Sequence, residues 1–135
     1  MFLYKFPKIE SIDTILPIIE NRKEFKVKET ISPNGNQYRS ISYLYTTPET
    51  FEYPVDTREK QLLRECRGLI FDSQGKVISR GFHKFFNYKQ NEETQPENLP
   101  PLNEFQIELK YDGSMVRPIF ERTNNEANKL YLITK

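Results

Sequence analysis

Lys110, Asp112, Gly113 and Ser114, in the run Lys110-Tyr111-Asp112-Gly113-Ser114, are the residues whose types and spacing point most directly to chemistry. A lysine amine attacks phosphorus only when deprotonated, and nearby cations together with partial burial can lower a lysine pKa toward neutrality. Gly113 permits a positive φ and hence a tight turn, and without a Cβ it lets backbone approach a phosphate or a ribose. Asp112 can orient a neighbouring base or cation, and the Ser114 hydroxyl can donate a hydrogen bond. Taken alone the pattern is short, because Asp-Gly is also an ordinary hairpin turn.

The elements around this turn must hold the amine in place. Alternation of Phe105, Gln106, Ile107, Glu108 and Leu109 predicts a strand ending at Lys110, which puts Glu108 on the same face as the lysine, where it can accept from an exocyclic amine. Upstream, Ile12, Ile15, Leu16 and Ile19 repeat at helical spacing and predict a helix from about Thr14 to Lys23, with Asp13 as N-cap and Pro17 close to the first turn. Phe25 to Ile31 and Ile41 to Tyr45 alternate around the turn formers Ser32 to Asn36, which reads as a hairpin. A loop from Thr46 to Thr57 leads to a short helix, Arg58 to Glu65, with Leu62 and Leu63 toward the core. Gly68 to Phe71 and Val77 to Ile78 form a second hairpin around Asp72 to Gly75. Asn91 to Pro101 reads as a surface loop, and Met115 to Glu121 and Leu130 to Thr134 as the last strands. No internal repeat is present.

A chain of 135 residues suits one domain, and 36% hydrophobic residues with 13% aromatics is enough apolar material for a core. With 20 Lys and Arg against 19 Asp and Glu, attraction to nucleic acid must come from clustered cations, because the net charge is only +1. The single cysteine, Cys66, excludes an intrachain disulfide and a cysteine-built zinc set, which fits a reducing, intracellular setting. No apolar run approaches the ~20 residues that span a bilayer, so no membrane partner is expected.

Three further blocks stand upstream of the lysine: Tyr38-Arg39-Ser40-Ile41-Ser42-Tyr43, Glu65-Cys66-Arg67-Gly68-Leu69-Ile70-Phe71-Asp72, and Ser79-Arg80-Gly81-Phe82-His83-Lys84-Phe85-Phe86-Asn87. In this order, with the lysine turn, they closely resemble the N-terminal part of the RNA ligase 1 family of T-even phages, from about Gln37 to Val116. The resemblance implies a covalent nucleotidyltransferase. Its lysine attacks the α-phosphate of ATP, holds AMP as a phosphoramidate, passes it to an RNA 5′-phosphate, and a 3′-hydroxyl then seals the strand, with Mg²⁺ serving both nucleotidyl steps. The partners implied are RNA ends bearing 5′-phosphate and 3′-hydroxyl groups.

On this resemblance Lys110 is the nucleophile and Gly113 the turn glycine. Arg67 looks like the arginine that approaches the nucleotide, its guanidinium fork suited to phosphate or ribose oxygens. Lys84 resembles a second basic residue of the ATP pocket, with Phe86 beside it and Asn87 a polar neighbour. Lys135 matches a further pocket lysine, and Glu108 the adenine-reading glutamate of related DNA ligases. Bland readings stand beside these: without the resemblance, Arg67 and Lys84 are ordinary solvated charges, and Phe82, Phe85 and Phe86 are core aromatics. His83, the sole histidine, reads as structural or exposed, and Cys66 as a small buried hydrophobe.

The fold expected is α+β: an antiparallel-rich nucleotidyltransferase core of the ATP-grasp-like ligase kind, incomplete, with an N-terminal helix. The later motifs of the superfamily are not within residues 1–135, so these residues are expected to be the N-terminal portion of an adenylyltransferase domain, with no second domain. A separately encoded C-terminal portion is then a possible partner, and the phage resemblance extends the intracellular expectation to a viral origin. Two other readings remain open. One is a remnant that binds nucleotide or RNA without catalysis; the other is an RNA-capping guanylyltransferase, against which the upstream blocks argue.

Overall fold

Alternating side chains and a dense turn build the first hairpin, but its second strand starts directly after the turn at Gln37 and ends at Tyr43, not at the expected Ile41 to Tyr45. Phe25–Ile31 (β1) pairs antiparallel with Gln37–Tyr43 (β2), in register from Phe25 opposite Tyr43 to Ile31 opposite Gln37. The turn closes through Ser32, whose backbone N–H donates to the Asn36 carbonyl at 2.9 Å and whose hydroxyl accepts from Asn36 N–H at 3.2 Å. β2 then pairs with Arg67–Phe71 (β3), and β3 with Val77–Ser79 (β4), giving an antiparallel sheet in the order β1-β2-β3-β4. The Asp72 carboxylate pins the β3–β4 turn by accepting from Gln74 and Lys76 N–H at 2.9 and 2.8 Å. Val116–Glu121 (β5) and Lys129–Thr134 (β6) form a separate antiparallel pair. This computed structural model describes residues 4–52, 56–122 and 128–134. The fold is α+β with antiparallel sheets and few helices.

The core forms where Leu16–Ile19 (α1) and Arg58–Glu65 (α2) meet the four-stranded sheet: Ile12, Ile15, Ile41, Leu62, Leu69 and Phe71 are buried there. Truncating any one of these to alanine costs roughly 2–5 kcal/mol through lost transfer energy and the cavity left behind. α2 runs over the expected residues because the Thr57 side chain accepts from Lys60 N–H at 3.3 Å and caps it, while Leu62 and Leu63 face inward.

Two further expectations fail. The N-terminal helix does not run from Thr14 to Lys23: Ser11, not Asp13, caps a 3-10 turn at Ile12–Thr14, and α1 is a single turn. Pro17 lacks the N–H that would bond back to the Asp13 carbonyl, so the two turns cannot fuse into one continuous helix. Residues 105–110 are not a strand either. Among the described residues no other strand pairs with them, and Ile107 and Leu109 are 86% and 83% exposed. Alternation supplies a face but not the hydrogen-bond partners a strand requires. The loop at 91–101 is more ordered than expected, holding 3-10 turns at Glu92–Thr94 and Pro96–Asn98, the first closed by a reciprocal Asn91–Thr94 cap. Among the described residues no helix is long and apolar enough to cross a membrane.

Candidate functional site

Arg67 stands at a junction made by local chemistry. α2 ends at Cys66, whose N–H bonds the Leu63 carbonyl, and β3 begins at the next residue. Leu69 pairs with Ile41 and Arg67 with Ser42, so Gly68 is the extra residue of a bulge, and its φ of 77° is one that glycine adopts without strain. The bulge turns the half-buried Arg67 off the regular alternation. Its guanidinium lies 4.8 Å from the Phe85 ring centre, and its Nη1 is buried without a hydrogen-bond partner.

Lys110, Asp112 and Gly113 meet that arginine across a hollow of about 490 Å³, walled also by Phe82, Phe85 and Met115. Lys110 is exposed. Gly113 has φ of 135°, and a Cβ built on it would touch nothing within 4 Å, so the turn needs glycine for its backbone and leaves open space beside it. A roomier hollow of about 770 Å³ lies elsewhere, against Leu16, Pro17 and Val27, and holds none of the candidate site residues.

β5 anchors the lysine turn. Its buried residues alternate: Arg117, Ile119 and Glu121. Arg117 Nη2 donates to the Gly68 carbonyl, at the bulge beside Arg67. At the other end of β5 the buried Glu121 carboxylate accepts from the Tyr38 hydroxyl at 2.5 Å and from Asn34 Nδ2 at 2.8 Å. Burial alone would raise the Glu121 pKa, but hydrogen bonds from Tyr38, Ser32, Asn34 and Asn36 outweigh it and hold the carboxyl below its usual range.

Lys84 sits behind the hollow and not in its wall. Its ammonium is 4.9 Å from the Phe86 ring centre and 5.8 Å from that of Tyr43. Burial lowers its pKa, and the charges of Arg67 and Arg64 lower it further. Arg64 is fully buried, 5.0 Å from the Phe86 ring centre, and its Nη1 lies 2.9 Å from both carboxylate oxygens of Glu93. Phe86 packs against the core while Phe85 lines the hollow, so of the two adjacent rings the structure places the one not singled out beside Arg67.

Of the residues expected at the site, Arg67, Lys110, Asp112 and Gly113 come together in one lining. Lys84 and Phe86 adjoin it through Arg67 and Phe85. Glu108 is exposed and outside the lining, because the strand that was to put it on the lysine's face does not form. Lys135 lies outside the described residues. His83 is half-buried: its ring stacks on Tyr4 at 3.9 Å, and burial leads in lowering its pKa. Cys66 is buried, and burial pushes its thiol pKa up, as suits a small hydrophobe. Sequence reasoning missed Arg64 and Arg117, and of the three rings it read as core aromatics only Phe86 packs there, while Phe82 and Phe85 are exposed and line the hollow. Arg64 follows Leu62 and Leu63 on the buried side of α2, whereas β5 turns Arg117, Ile119 and Glu121 inward and leaves Val116 and Phe120 exposed, the reverse of what its apolar residues suggest.

An exposed amine, an arginine and a glycine turn around one hollow can hold an anionic phosphate chain against a nucleophile. The donor set therefore fits a nucleoside triphosphate. Among the described residues no group of three or more His, Cys, Asp or Glu gathers, so a magnesium ion fits only as the companion of the triphosphate, with Asp112 the carboxylate at hand. Residues 65–135 match the RNA ligase family model, and the chain belongs to the RNA ligase family. A protein of Thermovibrio ammonificans whose name is that of an RNA ligase is 38% identical over 109 residues, which cover 80% of this chain and 25% of that protein. RNA ligase 1 of bacteriophage TS2126 is 34% identical over 79 residues, 58% of this chain and 17% of that protein. The chain thus spans a quarter or less of the length of these relatives.

Proposed function

We propose that the chain carries the nucleotide-attaching part of an ATP-dependent RNA ligase, within the N-terminal portion of an adenylyltransferase domain. The observation that carries this reading is the shared hollow: Lys110 and Arg67, far apart in sequence, line the same space with Asp112 and Gly113. The deprotonated Lys110 amine attacks the α-phosphorus of ATP, forming a P–N bond while the P–O bond to pyrophosphate breaks and its electron pair leaves with pyrophosphate. The amine proton passes to solvent. Arg67 holds the phosphate oxygens with the part of its guanidinium that lines the hollow, and Lys84 adds positive potential nearby. A 5′-phosphate oxygen of RNA then takes the AMP from Lys110, and a 3′-hydroxyl displaces AMP to seal the strand. Magnesium, when bound with the triphosphate, supplies neutralising charge at its oxygens.

Incubation with α-labelled ATP and Mg²⁺ tests the covalent step. The expected product is a label on Lys110 stable to base and labile to acid, absent in Lys110→Ala. A second reading, nucleotide and RNA binding without the covalent step, is favoured by the irregular backbone at 105–110, which leaves the amine open to solvent. Saturable ATP binding with no label would select it, and preference for GTP in the labelling would instead select a capping enzyme.

A further inference from the structure

Arg64 follows Leu62 and Leu63 into the core, and its side chain is 1% exposed. Its Nη1 meets both carboxylate oxygens of Glu93, itself 9% exposed, while its Nε and Nη2 are buried without a hydrogen-bond partner among the described residues. We propose that Arg64 is a positioning residue for Lys84: pinned by Glu93, it fixes the Phe86 ring beside which the Lys84 ammonium lies, and so sets where that charge stands near the candidate nucleotide site. The proposal rests on the reading of that site as one for a triphosphate.

Two contacts join Arg64 to the segment that carries Lys84. Its backbone carbonyl accepts from the Lys84 N–H at 2.8 Å, and its guanidinium lies 5.0 Å from the Phe86 ring centre. The Lys84 ammonium lies 4.9 Å from the same centre, so one ring serves two cations. Phe85, between Lys84 and Phe86 in sequence, meets the Arg67 guanidinium at 4.8 Å, so holding the segment also holds the ring against Arg67. The other end of the link is braced. Glu93 lies in the 3-10 turn Glu92–Thr94, closed by the Asn91–Thr94 cap, where Lys89 N–H donates to the Thr94 carbonyl at 2.9 Å and Asn98 Nδ2 to the Glu92 carbonyl at 2.8 Å.

Stability does not account for the pair. Taking a guanidinium and a carboxylate out of water costs more than their attraction returns unless the remaining donors are answered, and apolar side chains of similar volume hold a fold as well or better. Arg64 leaves two nitrogens unanswered. What an apolar side chain lacks is direction: a planar cation fixed at one nitrogen orients the aromatic ring it faces. Its charge also reaches the lysine. Burial leads in lowering the Lys84 pKa, and the charges of Arg67 and then Arg64 lower it further. Of these two cations Arg67 lines the hollow and Arg64 does not, so Arg64 acts on Lys84 without touching what the hollow holds.

Arg64→Met with Glu93→Leu replaces the pair by apolar side chains, and calorimetric titration of ATP into the folded double variant should show affinity about fivefold weaker, the worth of one buried cation–ring contact. Where that variant does not fold, Glu93→Gln, which keeps the size and one acceptor oxygen, should weaken the affinity about threefold. The same replacement made on Phe86→Leu should change the affinity no further, because the ring through which Arg64 acts is gone. Unchanged affinity in the folded variants, or equal losses with and without the ring, would overturn the proposal. Trace acylation of Lys84 by acetic anhydride, followed from neutral to alkaline pH by peptide mass spectrometry, needs no nucleotide: its midpoint should rise when the pair is replaced, since a nearby cation has gone, and a midpoint that stays put overturns the proposal as well. The two readings fail separately: ATP binding indifferent to the pair removes the role of Arg64 alone, whereas a shifted Lys84 in a chain that binds no ATP removes the nucleotide site alone.

Discussion

Arg117 donates a hydrogen bond to the carbonyl oxygen of Gly68, and this one contact joins the strand that follows the lysine turn to the bulge that sets Arg67. The donor is charged and buried, and burial lowers its pKa, so the carbonyl it meets matters to both partners. Replacing it should be felt at the candidate site and not only in stability.

Arg117→Ala should cost about 1.5–3 kcal/mol of stability, the range for a buried charged hydrogen bond. Urea unfolding measures that loss. At temperatures where the variant stays folded, labelling of Lys110 by α-labelled ATP should fall more than the folded fraction does. Equal falls in the two would mean that Arg117 only holds the fold.

Gly68→Ala should cost about 1–2 kcal/mol, because φ of 77° is strained for a residue with a Cβ. Relief of the strain would flatten the bulge and move Arg67, so ATP affinity should weaken as well. Calorimetric titration of ATP into the folded variant checks the second effect.

The buried pair of Arg64 and Glu93 should behave asymmetrically. Glu93→Ala leaves a guanidinium that is 1% exposed without its carboxylate and should cost about 3–5 kcal/mol. Replacing both residues, as Arg64→Met with Glu93→Leu, should recover most of that loss. A double-mutant cycle read by thermal melting makes the comparison, and the double variant would also remove one of the charges that lower the Lys84 pKa.

Glu121 carries a pH dependence whose sign follows from its pKa. The folded-state value is depressed, so its contribution is fully present above the unfolded carboxylate pKa and is lost as pH falls through the folded one. Glu121→Gln should therefore destabilise the chain at neutral pH by about 1–3 kcal/mol, and the gap from the unaltered chain should close under acid conditions. Melting curves across the acid range test it, and a gap that widened toward low pH would refute the assignment.

Much of this protein is legible in its residues alone because the forces concerned are local. The Ser32 to Asn36 turn, the short helix from Arg58 to Glu65, the Asp72 turn and the glycine at position 113 each depend on neighbours a few places away, and each stands where the pattern puts it. The Lys-x-Asp-Gly turn and the arginine after Cys66 were likewise visible as words.

What only the tertiary structure decided is everything that needs a distant partner. Alternation from Phe105 to Leu109 could not reveal that no strand among the described residues would pair with it. Nor could the paired letters of Phe85 and Phe86 say which ring turns to the core, since that depends on a bulge and on α2. The meeting of Arg67 with Lys110 rests on β5 docking through Arg117 and Glu121, contacts between residues far apart along the chain. Periodicity encodes which face of an element is apolar, whereas the partner of that face is chosen by packing across the whole molecule.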